Sequence, residues 1–160
     1  MVLAAGLCVV ALGRAVEVDS LLVHDPRYAA ERWMHENAVA GSSVEVYQKL
    51  AYLPRLNGFQ LRAVPIAERS IDKFLERKPD YLIISSAGRK QVTHIWNLDW
   101  QQAGSLLGED AEAARFLKAL EGGELPYRMV AHVSAPPPEL IRLRITSINP
   151  QIWIYARQSS

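Results

Sequence analysis

The residues best equipped to hold a ligand lie in one short run, Ser85-Ser86-Ala87-Gly88-Arg89-Lys90. Small residues there let backbone amides come close to an anion, and Arg89 and Lys90 bring positive charge to neutralise it. The run leaves Tyr81-Leu82-Ile83-Ile84, a continuous apolar stretch of the kind that forms a central strand covered on both faces. Open α/β sheets place their ligands beyond the carboxyl ends of such strands. Ser85, Ser86, Gly88, Arg89 and Lys90 are therefore the candidate ligand-binding residues, for a small anion or a nucleotide-like molecule. The run matches neither the phosphate-loop nor the dinucleotide fingerprint, and an ordinary strand-to-helix connection with a polar cap is the competing reading.

Other chemistry is harder to assemble. His24, His35, His94 and His132 fall in different predicted elements, with no pair at a metal-ligand spacing, so neither a metal nor a cofactor is expected. His35 sits on the exposed side of its helix by the register read below. Trp96 and Trp100, one helical turn apart around Asp99, suit core packing, docking against a membrane or partner domain, or stacking on a sugar ring. No glycine-flanked serine elbow is present and the carboxylates are dispersed, so no catalytic residue is expected.

The elements that must position these residues fit one domain. The chain has 160 residues, 18 basic against 17 acidic, which is the length of a single core and gives no electrostatic footprint for nucleic acid. Arg142 and Arg144 alternate with Ile141, Leu143 and Ile145, as the polar face of a strand would. The single cysteine, Cys8, excludes an internal disulfide and a thiolate metal site. It lies in an apolar run, Val2 to Leu12, that would extend about 17 Å as a helix, short of the roughly 30 Å of a bilayer core. The run reads as the end of a transmembrane helix, a signal-like segment without a basic n-region, or a buried first element. Residues 1–20 are accordingly set apart from a soluble α/β domain over residues 21–160.

Within that domain Asp25-Pro26 predicts a helix start, with Ala29, Ala30, Trp33 and Met34 inward and Gly41 as its left-handed stop. Ser43 to Tyr47 alternates as a half-buried strand, and Phe59 to Pro65 reads as a second. Ser70 caps a helix facing inward through Ile71, Phe74 and Leu75 and stopped by Pro79. Tyr81 to Ser85 follows as a strand, then a helix opening at Gly108-Glu109-Asp110, with Ala113, Phe116, Leu117 and Leu120 inward, and ending at Gly122-Gly123. Strands are predicted at Tyr127 to Val133, Leu140 to Ile145 and Ile152 to Tyr155. The fold class is α/β: a small, largely parallel sheet flanked by helices and preceded by a short apolar helix.

Four segments carry a resemblance. His24-Asp25-Pro26-Arg27-Tyr28-Ala29-Ala30-Glu31-Arg32-Trp33-Met34-His35-Glu36-Asn37, with Gly41 and the strand behind it, resembles the start of the soluble C-terminal domain of bacterial polytopic glycosyltransferases, those related to protein mannosyltransferases and lipid A aminoarabinose transferases. Lys78-Pro79-Asp80-Tyr81-Leu82-Ile83-Ile84-Ser85-Ser86 is similar to that family's lead into an apolar strand. Asn149-Pro150-Gln151-Ile152-Trp153-Ile154-Tyr155-Ala156-Arg157 resembles its closing strand, and the leader resembles the end of its last membrane helix. The resemblance implies sugar transfer from a polyprenyl-phosphate donor, with catalytic acids on loops between membrane helices that this chain does not contain. It further implies a periplasmic domain at the inner membrane, anchored by the N-terminal apolar segment and partnered by the membrane portion of the enzyme. On that implication the chain is a truncated reading frame, a split subunit or an excised domain, and the Asp25–Arg27 pair is a cap with an ion pair rather than an active site.

Overall fold

The computed structural model describes residues 12, 16, 23–47, 53–86, 109–134 and 150–158. They form a mixed α/β fold. Helix α1 (Pro26–Asn37) leads to β1 (Ser43–Val46) and β2 (Gln60–Ala63); a 3-10 turn (Ile66–Glu68) and α2 (Ile71–Arg77) lead to β3 (Tyr81–Ser85); α3 (Glu109–Glu121) leads to β4 (Tyr127–Val133) and β5 (Ile152–Arg157). The sheet order is β2-β1-β3-β5-β4.

Strands β2, β1 and β3 run parallel, and β5 pairs antiparallel with both β3 and β4. The expected parallel character therefore holds for the three-strand block, and β5 runs against its neighbours. Strand direction is not written in a strand's own pattern. β4 and β5 are consecutive among the described elements and adjacent in the sheet, the arrangement in which antiparallel pairing needs no helical crossover. At Val130 the β4 register slips by one residue, from Met129 opposite Tyr155 to Ala131 opposite Ile154, a bulge that turns the following side chains to the other face.

Both faces of the sheet are covered, and strand alternation decides which residue goes where. On one face Val44, Val46, Ile83, Ile152 and Ile154 pack against Ala30 and Met34 of α1, with Leu53 and Leu56 from the segment before β2. On the other, Tyr47, Leu82, Ile84, Tyr127 and Tyr155 meet Phe74 of α2 and Phe116, Leu117 and Leu120 of α3. Phe74 lies at the centre of that half, with its ring 4.8 Å from Phe116 and 4.6 Å from Tyr127 between centroids. The inward faces predicted for α2 and α3 are those observed.

Local chemistry sets the ends. Asp25 caps α1 by accepting from the Arg27 amide at 2.9 Å, and Pro26 occupies the first turn, where a missing N–H costs nothing. Ser70 caps α2, and Lys78 closes it in the left-handed region at φ 46°, just before Pro79. Two details of α1 differ from expectation. Ala29 is exposed, because the helix rests on the sheet through Ala30 and Met34, while Trp33 is only half buried. Gly41 does have positive φ, but it serves the turn into β1, donating to the Gly58 carbonyl at 2.8 Å, and the helix ends at Ala38 in extended conformation.

The predicted apolar helix at the N-terminus and the predicted strand over residues 140–145 fall outside the described residues, apart from Leu12 and Val16. Among the described residues no helix is long and apolar enough to cross a membrane. Replacing Phe74 with Ala removes the ring that joins α2, α3 and β4, and a loss of about 3–5 kcal/mol in urea unfolding is expected.

Candidate functional site

The strand order reverses between β1 and β3: β1 leads outward to β2 on one side, and β3 leads through α3 to β4 on the other. A crevice at the carboxyl ends of two such strands is where open α/β sheets bind ligands. Tyr47 and Ser86 stand at those ends. Ser85 is fully buried, pairing opposite Ile152. Ser86 is half buried, donating its amide to the Gln151 carbonyl at 2.8 Å and accepting the Gln151 amide on Oγ at 3.1 Å. Of the five candidate ligand residues, Ser85 and Ser86 are thus placed at the predicted edge, and Gly88, Arg89 and Lys90 lie outside the described residues, as do Trp96 and Trp100.

Behind this edge lies a polar cluster that the sequence reading passed over. Glu45 is only 2% exposed although it belongs to a strand read as half exposed. Its carboxylate receives the Arg77 guanidinium through both oxygens, with Nη2 3.1 Å from Oε2, and Arg77 also donates to the Glu68 carbonyl at 3.3 Å. Burial alone would lower the Arg77 pKa, and the hydrogen bond and charge of Glu45 overcome this and raise it. The neighbouring Tyr47 packs among Phe74 and Phe116, and its buried hydroxyl makes no hydrogen bond among the described residues. Burial, reinforced by the Glu45 charge, pushes its pKa far above the ordinary phenol value. Arg69, 5% exposed, lies over the Tyr47 ring at 5.0 Å from the centroid. The signal that could have found this group was Glu45 and Tyr47 on the same side of β1, followed by Glu68, Arg69 and Arg77 in the stretch that crosses to β3.

The opposite end of the sheet carries a second polar joint. Asp80 Oδ2 accepts from the Ser43 amide at 2.9 Å and from Ser43 Oγ at 2.8 Å, and Oδ1 accepts from Arg157 Nη2 at 2.6 Å. Ser43 Oγ in turn accepts the Asp80 amide at 2.9 Å. The Ser43 amide bond, with its side-chain bond and Arg157, holds the Asp80 pKa below the usual carboxylate value despite partial burial. Tyr127 Oη donates to the Pro79 carbonyl at 2.6 Å, and burial pushes its phenol up to about 12. A groove of about 720 Å³ opens beside this joint, lined by Ser42, Lys78, Asp80, Tyr81, Tyr127 and Arg157 among others. Asp80 and Arg157 within it are already engaged with each other.

The remaining candidates are structural. Asp25, 4% exposed, caps α1 and holds the Arg27 guanidinium, with Nε 2.8 Å from Oδ2, in the cap-plus-ion-pair arrangement expected for it. His35 is exposed and leans on Phe59, and His132 stacks on Trp153 at 5.0 Å between centroids. No group of three or more metal-ligating side chains occurs among the described residues.

Replacing Asp80 with Asn removes the acceptor for Arg157 and weakens both Ser43 bonds. A charged hydrogen-bond acceptor contributes about 1.5–3 kcal/mol, less here because the site is partly open to solvent. Because the folded-state pKa lies below the unfolded value, the stabilisation is complete above the unfolded value and is lost as pH falls through the folded one. Urea unfolding should therefore show the wild type more stable than Asp80→Asn at pH 7, with the gap narrowing as the pH falls below that of an ordinary carboxylate. Compared with protein-family models, curated proteins and solved structures, the chain finds no match.

Proposed function

We propose that this chain is an accessory extracytoplasmic domain of a bacterial polytopic glycosyltransferase that uses a polyprenyl-phosphate sugar donor. It carries no catalytic residue of its own and sits on the periplasmic side of the inner membrane against the membrane portion of the enzyme. The observation that carries this reading is at the N-terminus. Leu12 and Val16, helical and four residues apart, are 70% and 64% exposed, and neither joins either half of the core. Exposed apolar side chains outside the core are what a leader in contact with lipid would carry.

The resemblance adds support, because its segments coincide with joints of the fold. Asp25 and Arg27 close the start of α1, Lys78-Pro79-Asp80 links β1, β3 and β5, and Arg157 completes that link from the closing strand. Asp25, Glu45 and Asp80 each have their oxygens engaged by donors within the domain, which favours a scaffold role over acid–base chemistry. A second reading, a free-standing module for a small anion or nucleotide-like ligand, draws on the position of Ser85 and Ser86 beside the reversal in strand order.

Membrane fractionation of the full chain separates the two. Pelleting that resists alkaline carbonate, with the domain open to protease from the periplasmic side, is the expected result. Recovery in the soluble fraction would overturn the membrane reading, and sugar transfer from a lipid-linked donor by the chain alone would overturn the non-catalytic one.

A further inference from the structure

The geometry points to an oxyanion-binding site at the carboxyl edge of the parallel strands, with Arg69 as its cationic anchor. Arg69 follows the 3-10 turn, and its Nε donates to the Val64 carbonyl at 3.1 Å. Val64 extends β2 through its amide bond to Val46, and Tyr47 extends β1 through its amide bond to Ile83. The guanidinium is therefore held where β1, β2 and β3 end, on the Tyr47 ring.

What marks it is the missing counter-charge. A guanidinium offers five N–H donors, and the Val64 carbonyl takes one. The other inward-reaching arginines are paired: Arg27 with Asp25 and Arg77 with Glu45, both more exposed than Arg69. The carboxylate nearest in sequence, Glu68, pairs with Arg62 at 3.1 Å. No carboxylate among the described residues pairs with Arg69. Burial lowers its pKa, yet a guanidinium keeps its proton, so the charge stays in place. One neutral hydrogen bond and a cation–π contact recover less than the desolvation of a buried cation removes.

Among the described residues the Tyr47 hydroxyl is the one fully enclosed side-chain polar atom without a partner. The outer nitrogens of Arg69 make no hydrogen bond among the described residues. Arg69 is 5% exposed, and its planar fork matches a small group with two oxygens, a phosphate or a carboxylate. The inference is independent of the membrane reading, since either a domain beside a membrane enzyme or a free module would retain such an edge.

The test is a titration of the 15N-labelled full chain, in detergent micelles, with inorganic phosphate or with acetate while chloride holds the ionic strength constant. The readout is the set of arginine Nε–Hε cross-peaks. The Arg69 peak is identified by its loss in Arg69→Lys, or by through-bond assignment of the wild type if that variant does not fold. Saturable movement of the Arg69 peak, with the Arg27 and Arg77 peaks still, is the expected result. Movement with phosphate alone identifies a phosphate site, with acetate alone a carboxylate site, and with both a general oxyanion site. An unmoved Arg69 peak with either salt, or a linear drift shared by all three arginines, overturns the proposal.

Discussion

The carboxylate of Asp80 is the contact on which the arrangement of strands depends. It lies in the turn between α2 and β3 and reaches Ser43 at the start of β1 and Arg157 at the end of β5, 37 and 77 residues away. The same turn accepts the Tyr127 hydroxyl on the Pro79 carbonyl and the Arg157 amide on the Asp80 carbonyl, the latter at 2.9 Å. Four strands are thereby indexed to one point. Once β1 and β3 are in register there, alternation sends Val44, Val46 and Ile83 to one face and Tyr47, Leu82 and Ile84 to the other. A slip of one residue would exchange those sets and bury the wrong side chains.

Covering both faces has a consequence for charge. Glu45 and Tyr47 would be ordinary surface residues on a sheet with one open face. Here α2 and α3 close over them, so Glu45 requires Arg77, and Tyr47 becomes the platform for Arg69. Buried charges are retained only where partners or hydrogen bonds compensate them. The cluster meets that requirement at Glu45–Arg77 and leaves it open at Arg69. The two ends of the sheet thus differ: the Asp80 end is satisfied internally, and the Arg69 end is not.

Much of this was legible in the residues. Asp25-Pro26 and Ser70 marked their helix starts, and the apolar run Tyr81 to Ile84 marked a strand covered on both sides. The inward faces of α2 and α3 followed from helical spacing. What could not be read was pairing: the antiparallel direction of β5 and the partners of Glu45 and Asp80 are set by residues 32 to 77 positions away. The strand pattern Ser43 to Tyr47 itself misled, because alternation with a polar residue looks the same whether that residue meets water or a buried arginine. Ser85 ends β3 at a carboxyl edge, with Ser86 next to it, but the charged group described there, Arg69, comes from another connection.

These features describe a domain whose acidic groups hold its own joints together. The central claim is that Asp80 and Ser43 act as one joint, and a double-mutant cycle measures it directly. Urea unfolding of Ser43→Ala, Asp80→Asn and the double variant should give a coupling energy of about 0.5–3 kcal/mol, because each change removes or weakens the bond that the Ser43 hydroxyl and the Asp80 carboxylate share. Additive losses would contradict the account, since the strands would then be placed by apolar packing alone.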